Sequence, residues 1–319
     1  MSAIVDIIVP VFGIVALGWV IGRSRLLSAE GLRGFTNITF YALFPALLFR
    51  SMARVQFETL DADILFAFFG AALSLYALLL LAGRALALGL ADRAVFALSG
   101  TFSNGVGIGI PFITLAFGPA GLVPLLMIVS VHSLILLSLS SFLLEVGTQG
   151  GRAGLARRLG GAALTMLRHP VVPPIFAGLL WSWASRQAGG LALPGIVDRV
   201  LEALATAAPP CGLLMAGASL AHVGLRGHWQ AAALASAAKL LVLPALVYAL
   251  GRYVFALDPL WLAVATLNAC LPAGANVYMV AQLYGVGVGR ATNAVVISTA
   301  ASIVTLSLAL LIVPGVPGR

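Results

Sequence analysis

Of 319 residues, 61% are hydrophobic and only 9% are charged, and the mean hydropathy is +1.09 with a formal charge of +8. A soluble domain carries roughly 25% charged residues, so this composition excludes one and indicates an integral membrane protein. The arginines fall in the gaps between apolar runs, where they act as topology signals rather than as a nucleic-acid surface.

In chain order, apolar runs predict membrane-spanning helices at 4–22, 35–50, 64–88, 94–117 and 121–145, then at 171–186, 200–221, 231–252, 259–284 and 291–313. Runs of about 20 residues match a hydrocarbon core about 30 Å thick, whereas a β-barrel would show short alternating strands. The first run lacks a basic leader and a small-residue cleavage site, so it is expected to stay in place as a span. Cys211 and Cys270 lie in apolar runs beside Pro210 and Pro272, which predicts small buried residues with no disulfide, zinc or redox role.

The longest gap, "GTQGGRAGLARRLGGAALTMLRH" at 147–169, carries Arg152, Arg157, Arg158 and Arg168 and no acid. Placed in the cytoplasm, it puts Arg23, Arg25, Arg33, Arg84, Arg93, Arg226 and Arg290 on the same side. Arg50, Arg54, Arg186, Arg199, Arg252 and Arg319 then lie outside. That excess of inside arginine satisfies the positive-inside rule and predicts a multi-pass protein of the inner (plasma) membrane with both termini periplasmic.

The halves repeat. Pro10 stands thirteen residues before Arg23, and Pro173 thirteen before Arg186; Pro45 precedes Pro111 by 66 residues, as Pro210 precedes Asn276. Thr101, Gly109 and Pro111 match Thr266, Gly274 and Asn276 at an offset of 165. Five spans per half, an odd number, require the second half to be inverted. The fold expected is therefore an all-α polytopic membrane protein of ten transmembrane helices in two inverted five-helix repeats. The first repeat is 1–146, the linker 147–169 and the second repeat 170–319.

Within the fourth and ninth spans, "SNGVGIGIP" (103–111) and "LPAGAN" (271–276) interrupt the apolar pattern with glycine and proline. Gly costs about 1 kcal/mol and Pro about 3 relative to Ala inside a helix, so both helices are expected to break, at 105–111 and 272–276. Matched breaks in inverted repeats point to the binding site of a secondary transporter. Half-helix N-termini there would attract an anion. A small-residue packing face with a tolerated proline kink is the plainer alternative.

"SNGVGIGIP", with "LPAGANVYMVAQLYGV" and "VVISTAASI", resembles the auxin efflux carrier family. The resemblance covers the whole chain and is concentrated in the last two spans. That family includes bacterial malonate and other dicarboxylate transporters and the plant auxin exporters. The resemblance implies a bile acid/auxin transporter-like crossover fold, with helices 4 and 9 crossing and an elevator-type transport domain moving against a scaffold of spans 1, 2, 6 and 7. It also implies that Asn104, seven residues before the crossover proline Pro111, lies near the substrate carboxylate. Where plant carriers have a second crossover proline, this chain has Val277.

Candidate substrate-binding residues are Asn104, Gly105, Gly109 and Pro111 at the first break and Pro272, Gly274 and Asn276 at the second, with Thr101, Asn268 and Lys239. Asn104 and Asn276 each offer two amide donors, or act as interhelical glue. Thr101 and Asn268 sit N-terminal to the breaks, with Ser103 and Thr266. Lys239, the only lysine, lies inside the eighth span with no carboxylate at its depth. It attracts an anion, tethers freed carbonyls at a break or snorkels to the surface. His132 is the one histidine within a span and reads as a packed imidazole.

Every acid lies in a loop or near a span end, which argues against a cation/proton antiporter and against hydrolytic or metal chemistry. No enzyme activity, cofactor or metal is expected. The expected function is secondary transport of small organic anions such as dicarboxylates or auxin-like acids, with an anion channel, a sodium-coupled symporter or a fluxless receptor as alternatives. Expected partners are the organic anion and membrane lipid, not nucleic acid, with a homodimer left open.

Overall fold

The computed structural model describes residues 2–24, 26–57, 60–149, 170, 172–221 and 229–313. Most of the basic linker lies outside them, as do Arg25, Arg226 and Arg319. Among the described residues every extended element is helical. Helix α1 is Ser2–Arg23, α2 is Ala29–Ile38, α3 is Phe44–Met52, α4 is Asp63–Ala85 and α5 is Leu90–Ser99. Then come α6 (Ile110–Gln149), α7 (Val172–Gln187), α8 (Gly195–Ala221), α9 (Trp229–Ala237) and α10 (Leu243–Ala249). The last three are α11 (Pro259–Cys270), α12 (Ala275–Tyr284) and α13 (Val288–Ile312).

Prolines shape these helices in a regular way. π-helical turns at Thr39–Leu43, Gly105–Gly109 and Ala238–Val242 end two residues before Pro45, Pro111 and Pro244. A proline ring lacks the N–H donor and crowds the carbonyl four residues back. A locally widened turn relieves that clash while the helix continues, so these prolines bend spans without ending them.

Among the described residues six segments are long and apolar enough to cross a membrane: Glu30–Met52, Asp63–Ala85, Gly105–Thr148, Gly195–Ala221, Trp229–Val254 and Val288–Ile312. Ile7–Arg23 and Pro259–Cys270 are shorter apolar helices. The 44-residue segment would run about 66 Å if straight, about twice a hydrocarbon core. It is divided at Gly118, whose φ of 62° and ψ of −155° are open to glycine and strained for other residues.

Two apolar cores organise the packing. One joins α1, α3, α7 and α8 to parts of α6, α11 and α13. The other lies among α4, α5, the second half of α6, α9 to α12 and the start of α13 at Ala291. α1 and α8 approach at backbone distance: a Cβ added to Gly22 would lie 2.7 Å from the Ala218 carbonyl oxygen, and one at Gly217 would overlap the Val15 carbonyl. α3 and α7 are as close, with the Cβ position of Gly178 at 2.6 Å from the Phe49 oxygen.

Ion pairs follow the same division. Arg50 and Arg54 of the α3 end both bind Asp198 of α8, at 2.8 Å each, and Arg50 also reaches Glu202 at 3.2 Å. At the far end of the bundle, Arg290 of α13 pairs with Asp92 of α5, and the Tyr284 hydroxyl donates to Glu145 at 3.3 Å.

Candidate functional site

The two interruptions meet. α5 ends at Ser99 and α11 at Cys270, and residues 100–104 and 271–274 are non-helical. Ser103 and Ala273 form an antiparallel bridge. The Asn104 N–H donates to the Pro272 carbonyl at 2.9 Å, and the Gly274 N–H donates to the Phe102 carbonyl at 3.1 Å. Backbone groups freed by each break thus satisfy the other, which removes the cost of orphan polar groups in an apolar interior.

The first break lies N-terminal to the place composition indicates. Gly105–Gly109 is not the gap but the widened first turn after it, and Pro111 sits in the first turn of α6. What decides the start is Asn104, the N-cap: its Oδ1 accepts from the Gly107 N–H at 3.1 Å. The corresponding cap at the second break is Gly274, 170 residues on rather than the 165 that residue identities suggest. Thr101 accordingly lies in its break, whereas its sequence match Thr266 lies inside α11.

Both new helix starts face one cavity of about 410 Å³, the size of a small-molecule site. Asn104 and Gly105 line it from one side, and Gly274 and Asn276 from the other. The Asn104 amide oxygen is committed to its cap. Its Nδ2 carries the donor capacity left for a ligand. Asn276 is half-buried in the first turn of α12. Across the cavity stand Thr36 and Asn37 of α2 and Met215 and Ser219 of α8, with Thr292 and Thr299 of α13 completing the polar wall.

The other sequence candidates lie outside that wall. Thr101 is buried and donates back to the Ala97 carbonyl at 2.9 Å. Pro111 packs near Gly212 of α8, and Pro272 contributes the carbonyl that receives Asn104. Gly109 closes the widened turn, donating to the Asn104 carbonyl at 2.9 Å. Asn268 is 1% exposed and its Oδ1 has no hydrogen-bond partner; it lies 3.2 Å from where a Cβ of Gly105 would stand.

Lys239 is fully buried behind the second break. Its Nζ donates to the Ala269 carbonyl at 2.5 Å and to the Leu271 carbonyl at 2.7 Å. These carbonyls belong to the last turn and C-cap of α11, where a helix leaves acceptors unsatisfied and where a cation is favoured. Of the three roles open to this lysine, the tether describes its contacts. Ser298 of α13 adds a second pin, its Oγ accepting from the Ala273 N–H at 3.0 Å.

Among the described residues no group of three or more His, Cys, Asp or Glu side chains is placed to hold a metal, and Cys211 and Cys270 are free. The chain matches the family described as membrane transport protein over residues 3–154 and 161–310. It belongs to that family. A "Putative malonate transporter" of Rhizobium meliloti (strain 1021) is 27% identical over 313 residues, covering 96% of this chain and 95% of that protein. The "Lysosomal cholesterol signaling protein" of Mus musculus is 23% identical over 255 residues. The match covers 74% of this chain but only 28% of the mouse protein. Family and relative together identify a membrane transport protein, not an enzyme.

The cavity also contains residues that the sequence does not single out. Thr36 and Asn37 sit on an ordinary amphipathic helix, and Ser219 closes a small-residue run. His132, which the sequence marks as the one histidine inside a span and reads as a packed imidazole, lines the cavity as well.

Proposed function

We propose that this transporter carries small organic anions, carboxylates such as malonate and other dicarboxylates or auxin-like acids, across the inner membrane by elevator-type alternating access. The observation that carries the proposal is the pair of helix N-termini, at Asn104–Gly105 and Gly274–Asn276, lining one cavity. Each N-terminus offers free N–H groups and roughly half a positive charge, and two together replace the hydration shell of a carboxylate. The name of the bacterial relative agrees with that substrate class.

On this proposal the chain has ten spans in two inverted repeats. The fourth is α5 with the first part of α6, and the ninth is α11 with α12. The scaffold is α1, α2–α3, α7 and α8, and the remaining helices carry the substrate. Close backbone packing within the scaffold supports the division. So do the ion pairs of Arg50 with Asp198 and of Arg290 with Asp92, each contained in one group. The cavity lies between the groups, with Thr36 and Ser219 on the scaffold side. With both termini periplasmic, Thr36, Ser219 and Pro170 stand near the cytoplasmic ends of their spans.

Counterflow into proteoliposomes tests the proposal directly. Vesicles preloaded with unlabelled malonate, succinate or indole-3-acetate should concentrate the labelled form of at least one of them transiently, as a carrier does. Flux without counterflow would mark a channel, and binding without flux a receptor.

A further inference from the structure

Among the described residues the cavity wall holds little that ionises: no lysine, arginine or carboxylate lines it, and the titratable side chains there are His132 and the phenols of Tyr41 and Tyr278. His132 lies on α6 one turn beyond Val129, whose Cγ2 is 3.0 Å from the Cβ position of Gly105. The imidazole thus stands beside the half-helix N-terminus. It is 4% exposed, and its Nε2 has no hydrogen-bond partner, although buried polar atoms are nearly always paired. Phe102 holds the ring at a centroid distance of 4.3 Å, with Phe68 at 5.8 Å and Phe69 at 6.2 Å.

The side chains stacked on this ring are aromatic, and among the described residues one cation lies close enough for its charge to bear on it. α4 presents Phe68 and Phe69 and the first break presents Phe102, Ser103 lines the same cavity, and α11, which packs on α6, holds no acid, lysine, arginine or histidine. Lys239 is the charged side chain whose field reaches the ring, and it is engaged by the Ala269 and Leu271 carbonyls. Resting on the anion-carrier reading, we infer that His132 meets the bound carboxylate and takes up one proton with it, so that the transporter couples anion movement to proton movement.

The chemistry is a simple proton balance. An anion enters with its negative charge, and an imidazole nitrogen accepts one proton through its lone pair. With a monocarboxylate the two form a hydrogen-bonded ion pair of zero net charge, and with a dianion such as malonate the proton leaves one negative charge in place of two. Moving a neutral pair through an apolar barrier is far less costly than moving a bare charge. On the far side the anion and the proton leave together and the ring returns to its starting form. Histidine suits this role because a neutral imidazole can take a proton once an anion stands beside it to favour the charged form. Among the described residues the wall contains no carboxylate that could neutralise a metal cation instead.

The test uses the full chain in proteoliposomes with labelled malonate, succinate and indole-3-acetate, with and without an imposed pH gradient. The parent should accumulate its substrate when the proton gradient runs the same way, and a protonophore should abolish the accumulation. His132→Gln retains a hydrogen-bonding group without a titrating ring; counterflow should slow by tenfold to a hundredfold yet remain measurable, while gradient-driven accumulation is lost. His132→Phe, which keeps the aromatic packing, should weaken substrate binding at least tenfold at unchanged melting temperature. Gradient-driven accumulation by His132→Gln, or a parent indifferent to the gradient, would overturn the inference while leaving the carrier reading intact. A parent inert in counterflow with all three acids would instead remove the carrier reading, and this inference with it.

Discussion

Asn104 does two jobs that a single substitution can separate. Its Oδ1 caps the half-helix by accepting from the Gly107 N–H at 3.1 Å, and on the proposed function its Nδ2 donates to the substrate carboxylate. Asn104→Ala removes both. Losing the cap costs about 1 kcal/mol of stability, and losing a donor to a charged group costs roughly 1.5–3 kcal/mol of affinity, a factor of about 10 to 150 in Kd. Asn104→Asp keeps an acceptor for Gly107 and places a negative charge at a helix N-terminus, where it is favoured by a fraction of a kcal/mol. The same charge about 4 Å from a bound carboxylate repels it by about 4 kcal/mol at an effective dielectric constant of about 20. Stability and binding should therefore part company: the Asp variant should melt at or above the parent temperature and bind at least a thousandfold more weakly. Thermal unfolding and equilibrium binding of malonate, both in detergent at one pH, read the two terms. An Asp variant that binds the same carboxylate as tightly as the parent would place the anion elsewhere and leave the break a role in motion or packing.

The tether at Lys239 predicts that Lys239→Met lowers thermal stability by about 2–3 kcal/mol, since two charge-assisted bonds are lost while the cost of burying a cation is recovered. Lys239→Ala should cost more by leaving a cavity, and a Met variant with parent stability would refute the tether. Gly217→Val should abolish the folded yield by driving a side chain into the Val15 carbonyl, whereas Gly13→Ala, with nothing within 4 Å of its Cβ position, should fold like the parent. Size-exclusion profiles after detergent extraction distinguish the two, and a monodisperse Gly217→Val would disprove backbone contact between α1 and α8. A cysteine at Ala153, in a background without Cys211 and Cys270, should resist an impermeant thiol reagent added to intact cells; efficient labelling would reverse the proposed topology.

Hydropathy made the six long apolar segments legible because a candidate span is defined by length and composition alone. The breaks were legible as a neighbourhood but not to the residue. Glycine and proline mark where a helix can be deformed; where it stops depends on which side chain captures the first free N–H, and that is Asn104. For the same reason, matching Thr101, Gly109 and Pro111 to the second half gave an offset five residues short of the caps. The partners of Lys239 were beyond reach, because Ala269 and Leu271 lie on another helix 30 and 32 positions away. Thr36, Asn37 and Ser219 gave no signal, since a polar residue facing a cavity and one facing water look alike in a single sequence.

The charge distribution around the site fits a carrier better than a tight binder. A buried arginine in the wall would hold a carboxylate bidentately and strongly, and a strongly held ligand leaves slowly. Among the described residues the groups facing the cavity are amides, hydroxyls, helix ends and the His132 imidazole, with no permanent charge, while the one lysine is committed behind the second break to the α11 carbonyls. Fixed charge therefore shapes the site without touching the cargo. On the proposed mechanism that separation is what allows the anion to be desolvated, moved and released by one set of residues, with the geometry of the breaks maintained throughout by Lys239, Ser298 and the paired backbone of residues 102–104 and 272–274.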